Sequence, residues 1–224
     1  MAMRLGVLFS GGKDSAYVTY LAKKAGYEVR CLITLDSKNN ESFMFHTPAI
    51  GLTKKQAEVM NLPLVFEKTA GKKEDELKDL ERAIKSAVKK YKLVGIVTGA
   101  LESVYQASRV QTICNKLKIE CFNPLWQKDQ IELLEELTKN RFEIIISGVF
   151  AYPLDKKWIG RKIDEKFIEE VKILQDKYKI NPAGEGGEFE SFVLNCLLFN
   201  RGLKVKKITA HGEKNSWRAE MELE

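Results

Sequence analysis

Two short stretches of this chain carry residue types that can do chemistry. In the first, Ser10-Gly11-Gly12-Lys13-Asp14-Ser15, two glycines let the backbone approach an anion closely. Lys13 adds a mobile positive charge, and Ser10 and Ser15 add hydroxyl donors. Asp14 stands where a helix would begin, a position that favours a carboxylate, and it is the expected magnesium ligand. The stretch suits phosphate oxygens, but it is not a Walker A loop. That motif has four residues between its glycines and Ser or Thr directly after the lysine, whereas Gly11 and Gly12 are adjacent and Asp14 follows Lys13. In the second, Gly184-Glu185-Gly186-Gly187-Glu188-Phe189-Glu190-Ser191 packs three acids and three glycines into eight residues. Such a loop can fold closely round a ligand, and its carboxylates can meet a cation. It runs straight into an apolar stretch from Phe192 to Phe199, which is unusual for a solvated linker and favours a functional loop.

The elements that must position these loops follow from periodicity. Residues 4–9 form a short apolar run ending at the glycines, a buried strand. From Asp14 onward Val18, Leu21, Ala22 and Ala25 share a helical face, and Gly26 is placed to end it. A second strand over 29–35 completes a βαβ unit. The alternation continues with a helix from about Pro48 to Met60, strands at 64–66, 95–98 and 121–122, and helices marked by Leu77, Leu80, Ile84, Ala87, Val88 and Tyr91 and by Ala107, Val110, Cys114 and Leu117. This is an α/β fold, an open parallel sheet with helices on both faces, and such sheets bind ligands beyond the carboxyl ends of their strands. After Trp126 the rhythm loosens. A helix around Ile131, Leu134 and Leu137, a strand at 144–149, a helix from Phe167 to Tyr178 and a hairpin over 203–224 turning near Gly212 predict a smaller α+β unit. The expected division is a nucleotide-binding domain over 1–126 and a substrate-recognition domain over 127–224.

Composition narrows the setting. With 44% hydrophobic residues in 224, the chain can bury a core without disulfides or structural metal. Cys31, Cys114, Cys121 and Cys196 are scattered with no CxxC spacing, so they read as small buried hydrophobes and not as a zinc site. No signal peptide and no apolar run of membrane-spanning length is apparent, and a cytoplasmic location with no membrane contact is expected. The formal charge of +6 is compatible with an acidic partner, but no basic run is interleaved with aromatics, so nucleic acid is not an expected partner. His46 and His211 are the only histidines; neither adjoins a plausible nucleophile, and a histidine-based triad has no support.

Ser10-Gly11-Gly12-Lys13-Asp14-Ser15 resembles the SGGxDS signature of the N-type ATP pyrophosphatases, which implies an adenine nucleotide alpha-hydrolase-like variant of the Rossmann fold. The group includes GMP synthetase, asparagine synthetase and several tRNA-modifying enzymes. The loop over 184–191 resembles the EGGE-F-E-S/T signature of the diphthine–ammonia ligases, also called diphthamide synthetases. Gly99-Ala100-Leu101 with Tyr105, Gln106 and Arg109, Pro124-Leu125-Trp126 and residues 154–161 also fit that family. The resemblance covers nearly the whole chain, from Leu5 to about Val193; only the final hairpin adds nothing diagnostic.

The resemblance implies ATP-dependent amidation of diphthine, on translation elongation factor 2, to diphthamide. The diphthine carboxylate would attack the α-phosphorus of ATP to give an acyl-adenylate and pyrophosphate, and ammonia would then displace AMP. The implied requirements are ATP as substrate and Mg²⁺, and the implied partners are elongation factor 2 and ammonium. Ser10, Gly11, Gly12, Lys13 and Ser15 would hold the β- and γ-phosphates. Thr34 and Leu35, taken to end the second strand, would offer backbone groups to adenosine, with Gly99 and Tyr105 also on the nucleotide. Lys13, Asp14 and Arg109 are the candidate catalytic residues, although Arg109 could instead pair with an acid on its own helix. Gly184, Glu185, Gly186, Gly187, Glu188, Glu190 and Ser191 would receive the substrate, the acids facing its trimethylammonium group or the ammonium. Trp126, Trp158 and Trp217 read first as core or interface residues, with Trp158, beside Leu154 and Arg161, the one to test for a ring contact. A chain of this length is not expected to hold a full glutaminase domain, and Met1 is followed by Ala2 and not by a cysteine, so free ammonium is the expected nitrogen source. Oligomeric state stays open, a homo-oligomer included. The competing readings are an RNA-modifying ATP pyrophosphatase, for which paired catalytic cysteines are missing, and a non-catalytic ATP-binding module.

Overall fold

The structure, a computed structural model, describes residues 2–37, 49–69 and 73–224; His46 and the expected helix start at Pro48 lie outside them. Five strands, β1 (Arg4–Leu8), β2 (Glu28–Ser37), β3 (Leu64–Thr69), β4 (Gly95–Val97) and β5 (Glu120–Phe122), form one sheet in the order β3-β2-β1-β4-β5. All its pairings are parallel. Sequence order reverses between β1 and β4, so the crevice for a ligand opens beyond the carboxyl ends of these two strands. Helix α1 (Lys13–Lys24) covers one face, with Ala16, Val18 and Ala22 packed against Leu5 and Val7. Helices α3 (Lys73–Tyr91) and α4 (Val104–Leu117) cover the other, where Leu80, Ile84, Val110 and Ile113 meet Ile33 and Ile96. The expected open parallel sheet with helices on both faces is therefore what the chain builds.

Two boundaries differ from expectation. β2 runs on to Ser37 because its pairing with β3 continues through Ser37 opposite Thr69, so Thr34 and Leu35 lie inside the strand rather than at its end. The helix expected from about Pro48 is only a 3-10 turn, Ile50–Leu52, followed by α2, Thr53–Val59.

The second half forms a four-stranded antiparallel sheet, ordered β7 (Phe189–Asn195), β6 (Glu143–Val149), β9 (Ser216–Leu223) and β8 (Val205–Glu213). Helices α5 (Gln130–Lys139) and α6 (Glu165–Tyr178) accompany it. Both start on aspartate caps: Asp129 accepts from the N–H groups of Ile131 and Glu132, and Asp164 from that of Phe167, contacts worth about 1 kcal/mol each. The apolar run from Phe192 is not one element. β7 starts earlier, at Phe189, and stops at Asn195, after which the chain turns and leaves Leu197 exposed. One core crosses the expected boundary near residues 125–130, joining Leu5, Val7 and Ala16 to Leu133, Leu134, Phe167 and Val193. Polar bonds reinforce it, from Tyr17 to Glu136 at 2.7 Å and from Tyr20 to Asn140 at 2.9 Å. The two sheets thus hold their loops against each other through shared packing.

Candidate active site

The turn after β1 is built by its own side chains. Ser15 Oγ accepts from the Ser10 N–H and donates to the Gly12 carbonyl, at 3.2 and 3.1 Å, and lies 3.2 Å from Ser10 Oγ. Gly11 takes φ +84°, a backbone conformation that favours glycine. The N–H groups of a first helical turn lack intrahelical acceptors, and Gly12, the residue before α1, supplies no side-chain cap. The Lys13 N–H is capped from the other sheet, by Ser191 Oγ at 3.1 Å.

Strand β7 is pinned to the same turn by main chain. The Gly11 carbonyl accepts from the Val193 N–H at 3.1 Å and from Gln56 Nε2 at 2.9 Å, and Gln56 Nε2 also reaches the Val193 carbonyl at 2.8 Å. Gln56 is wholly buried. Neither glycine at the contact could be larger without movement. A Cβ on Gly11 would come within 2.5 Å of Gln56 Oε1, and one on Gly12 within 3.2 Å of the Ser191 carbonyl. Gly99, in the turn beyond β4, packs on the other side; its Cβ would lie 3.0–3.1 Å from backbone and Cβ atoms of Asp14 and Ser15. The two sequence motifs, 178 residues apart at Lys13 and Ser191, therefore form one site at the β1/β4 crevice.

Charge converges on Lys13. Its ammonium, only 5% exposed at the side chain, lies 2.8 Å from Asp14 Oδ2 and 3.6 Å from Glu185 Oε1, with the Phe189 ring centroid at 5.9 Å. Burial works against its charge, but Asp14 and Glu185 outweigh that and hold its pKa above the ordinary lysine value. Burial pushes Glu185 up to about 7, aided by Asp14 and Glu102 and opposed by Lys13. Burial pushes Glu190 up to about 7 as well, again against Lys13. The site thus holds one lysine and two carboxyl groups that change charge near neutrality. Such groups can exchange a proton with an ammonium-type substrate.

The remaining expected residues separate. Glu188 is turned into its own loop: Oε1 accepts from the backbone and side-chain nitrogens of Asn181, and Oε2 from the Gly186 N–H, at 2.8–2.9 Å. Both oxygens are occupied in shaping residues 181–188, which removes it from the acids free to face a cation. Thr34 is buried and donates to the Phe9 carbonyl at 2.6 Å, and Leu35 is a core residue. Thr34 thus ties β2 to the residue that leads into the turn, while Leu35 packs in the core with Leu80 and Ile84. Arg109 pairs with no acid among the described residues. Its guanidinium lies 3.3 Å from the Tyr105 ring centroid and donates to the Tyr105 carbonyl, while its Nε is buried without a partner. Trp158 is buried against Phe167, with Arg161 over its ring at 4.4 Å, so it is a core residue and offers no open ring face. His211 sits on the exposed hairpin beside Glu220.

Gln56, Glu102, Gln130 and Asn181 also serve the site, although neither motif contains them. Asn181 shortly precedes the acidic loop and Glu102 directly follows Gly99-Ala100-Leu101, so adjacency is an available signal for those two. Gln56 and Gln130 carry no local signal, since each acts on segments remote in sequence.

For a bound nucleotide and metal, one feature of the turn is informative: Asp14 Oδ1 is buried with no partner while Oδ2 holds Lys13. Among the described residues no three His, Cys, Asp or Glu side chains gather as a metal cage. One carboxylate beside a phosphate cradle is nonetheless what Mg²⁺ uses when phosphates and water complete its shell, and the residues fit that arrangement. Among the described residues no helix is long and apolar enough to cross a membrane.

Comparison with known proteins agrees in extent with this two-part site. The family model for the diphthamide synthase N-terminal domain matches residues 3–121, and that for the C-terminal domain matches 129–222. The diphthine–ammonia ligase of Bos taurus is 34% identical over 224 residues, covering 91% of this chain and 83% of its own. That of Homo sapiens is 34% identical over 227 residues, with the same two shares. The diphthine–ammonia ligase of Schizosaccharomyces pombe is 33% identical over 227 residues, 93% of this chain but 37% of that protein, so the chain spans little more than a third of the yeast relative. The chain belongs to the diphthamide synthase family.

Proposed function

We propose that this protein is an ATP-dependent carbon–nitrogen ligase that amidates diphthine on elongation factor 2 to diphthamide, releasing AMP and pyrophosphate. The observation that carries the reading is the meeting of the two motifs, with Ser191 capping the Lys13 N–H and Glu185 facing the Lys13 ammonium. Residues 1–126 supply the nucleotide half and 127–224 the acidic loop and substrate half.

In this reading residues 10–15 and the start of α1 cradle the β- and γ-phosphates. Lys13 leaves Asp14 and Glu185 for the phosphates and neutralises the departing pyrophosphate. Asp14, one of whose buried oxygens has no protein partner, would hold Mg²⁺, which would supply charge neutralisation on the phosphates. Tyr105 and Arg109 border the nucleotide from α4. The diphthine carboxylate forms a bond to the α-phosphorus as the bond to pyrophosphate breaks. The ammonia nitrogen then forms the amide bond to the acyl carbon as AMP leaves. With free ammonium as nitrogen source, a proton must be removed before attack. Glu185 and Glu190 are suited to take it, since both titrate near 7. A cationic trimethylammonium group beside the reacting carboxylate would take the place of the Lys13 ammonium in favouring their ionised form.

AMP formation from ATP and ammonium, with and without diphthine-bearing elongation factor 2, tests this. AMP that depends on that protein and is lost in Lys13→Ala is expected. AMP made without it but stimulated by tRNA would replace this reading with an RNA-modifying one. Production of ADP, or matching turnover with glutamine, would overturn the reaction or the nitrogen source respectively.

A further inference from the structure

Gln130, the first residue of α5, is nearly buried, with 9% of its surface exposed. Its amide joins the start of α5 to two other segments. Oε1 accepts from the Ala183 N–H at 3.0 Å, and Nε2 donates to Glu102 Oε1 and to Asn181 Oδ1, both at 3.1 Å. A backbone N–H can only donate, so the Ala183 contact dictates which end of the amide faces which way. With Asn181 Oδ1 committed to Gln130, Asn181 Nδ2 must face the other way, where it donates to Glu188 Oε1. Glu188 then receives the Asn181 and Gly186 N–H groups and closes the loop that carries Glu185. On its other side, Glu102 stands three residues past Gly99, where an added Cβ would lie 3.0–3.1 Å from atoms of Asp14 and Ser15.

We propose that Gln130 is a positioning residue for the amidation step, one that sets the loop over 181–188 against the turn beyond β4 and thereby places Glu185 beside Lys13. This rests on the reaction assigned under the proposed function. The polarity of the arrangement makes it specific. Each of the three bonds runs in one direction only, so a side chain of equal length but reversed polarity cannot replace it. The phosphate turn is braced separately, by Ser15, Ser191, Gln56 and Val193, through hydrogen bonds that do not involve Gln130. Displacing the Glu185 loop therefore separates the two halves of the reaction: nucleotide binding persists, and use of ammonium suffers.

Two variants of the full chain test this. Gln130→Met has a similar length and loses all three bonds. Gln130→Glu keeps the acceptor for Ala183 but turns a carboxylate oxygen toward Glu102 and Asn181 Oδ1. With diphthine-bearing elongation factor 2, Gln130→Met should raise the KM for ammonium by about tenfold or more, the scale of a reacting group displaced by a fraction of an ångström. The KM for ATP should stay within about twofold. For Gln130→Glu, activity relative to wild type should climb as pH falls, because a protonated carboxyl regains one donor. Amide hydrogen exchange gives a second measurement that needs no substrate: residues 181–188 should exchange faster in Gln130→Met, and residues 10–15 should not. Equal rises in both KM values, or unchanged exchange at 181–188, would overturn the inference. If wild type makes no AMP, the reaction has been misassigned, and the exchange pattern still decides whether Gln130 sets the loop.

Discussion

Replacing Ser191 by alanine removes one oxygen atom and asks whether the second sheet really braces the phosphate turn. Ser191 is 4% exposed, and its hydroxyl is the acceptor for the Lys13 N–H at 3.1 Å, in a residue that is itself 4% exposed. Alanine leaves that N–H buried without a partner, at a cost of roughly 1–3 kcal/mol. Counted instead as loss of a helix cap, the same change costs about 0.5–2 kcal/mol. The two overlap at about 1–2 kcal/mol. For a chain of this length each kcal/mol lowers Tm by roughly 2–4 °C, so Ser191→Ala should melt about 2–8 °C below wild type. Ser191→Thr, which keeps the hydroxyl, should recover more than half of that. Because the turn is less ordered before ATP arrives, the KM for ATP should rise, by up to about tenfold if 1.4 kcal/mol of ordering falls on binding. Thermal melting with and without ATP, together with AMP formation at varied ATP, measures all of this. A melting temperature within about 1 °C of wild type, with ATP use unchanged, would show that the Ser191 hydroxyl does not brace the turn.

Gly99→Ala places a methyl group 3.0–3.1 Å from backbone and Cβ atoms at the start of α1. Backbone cannot swing aside, so the variant should lose about 1–3 kcal/mol of stability and bind ATP more weakly. Wild-type melting and ATP affinity would mean the crevice is looser than drawn. Glu185 and Glu190 titrate at about 7, against 4.5 for an unperturbed carboxyl, so the folded chain binds protons more tightly than the unfolded one between those values. Stability should therefore fall as pH rises from about 4.5 through about 7. Glu190→Gln should be at least as stable as wild type at about pH 8 and lose that advantage near pH 5, and denaturant titrations at the two pH values check the sign. In the same window wild-type AMP formation should rise with pH as the two carboxyls ionise; a profile flat through about pH 7 would remove them from proton handling.

The parallel sheet was readable because its signals are local. A strand, a glycine turn and a helix with Val18, Leu21, Ala22 and Ala25 on one face lie within about twenty residues, and Gly26 takes φ +82° where the helix had to stop. Each βαβ unit repeats that grammar. The lengths of β2 and α2 were not readable, since the first is extended by pairing with β3 at Ser37 and Thr69, a contact between segments more than thirty residues apart. Leu197 misled for a similar reason. An apolar residue next to a strand reads as part of it, yet the ladder to β6 ends at Asn195, and in the turn that follows Cys196 stays buried while Leu197 faces solvent.

In the site, residue type was legible and direction was not. Three glutamates in one loop look equivalent in sequence, and the fold gives them different tasks. Glu185 faces Lys13, Glu190 is drawn into the same field from the strand that follows, and Glu188 turns back to bind Asn181 and Gly186. The difference arises from the glycines between them. Gly184 and Gly187 both take positive φ, at 81° and 82°, and reverse the chain on either side of Glu185 and Gly186, so neighbouring carboxylates point apart. A Cβ on Gly186 would come within 2.6 Å of Glu188 Oε1 and 2.5 Å of Asn181 Nδ2, so the acid can fold inward only because that position has no side chain. The glycines in this motif thus decide which acids reach the lysine and which one holds the loop that presents them.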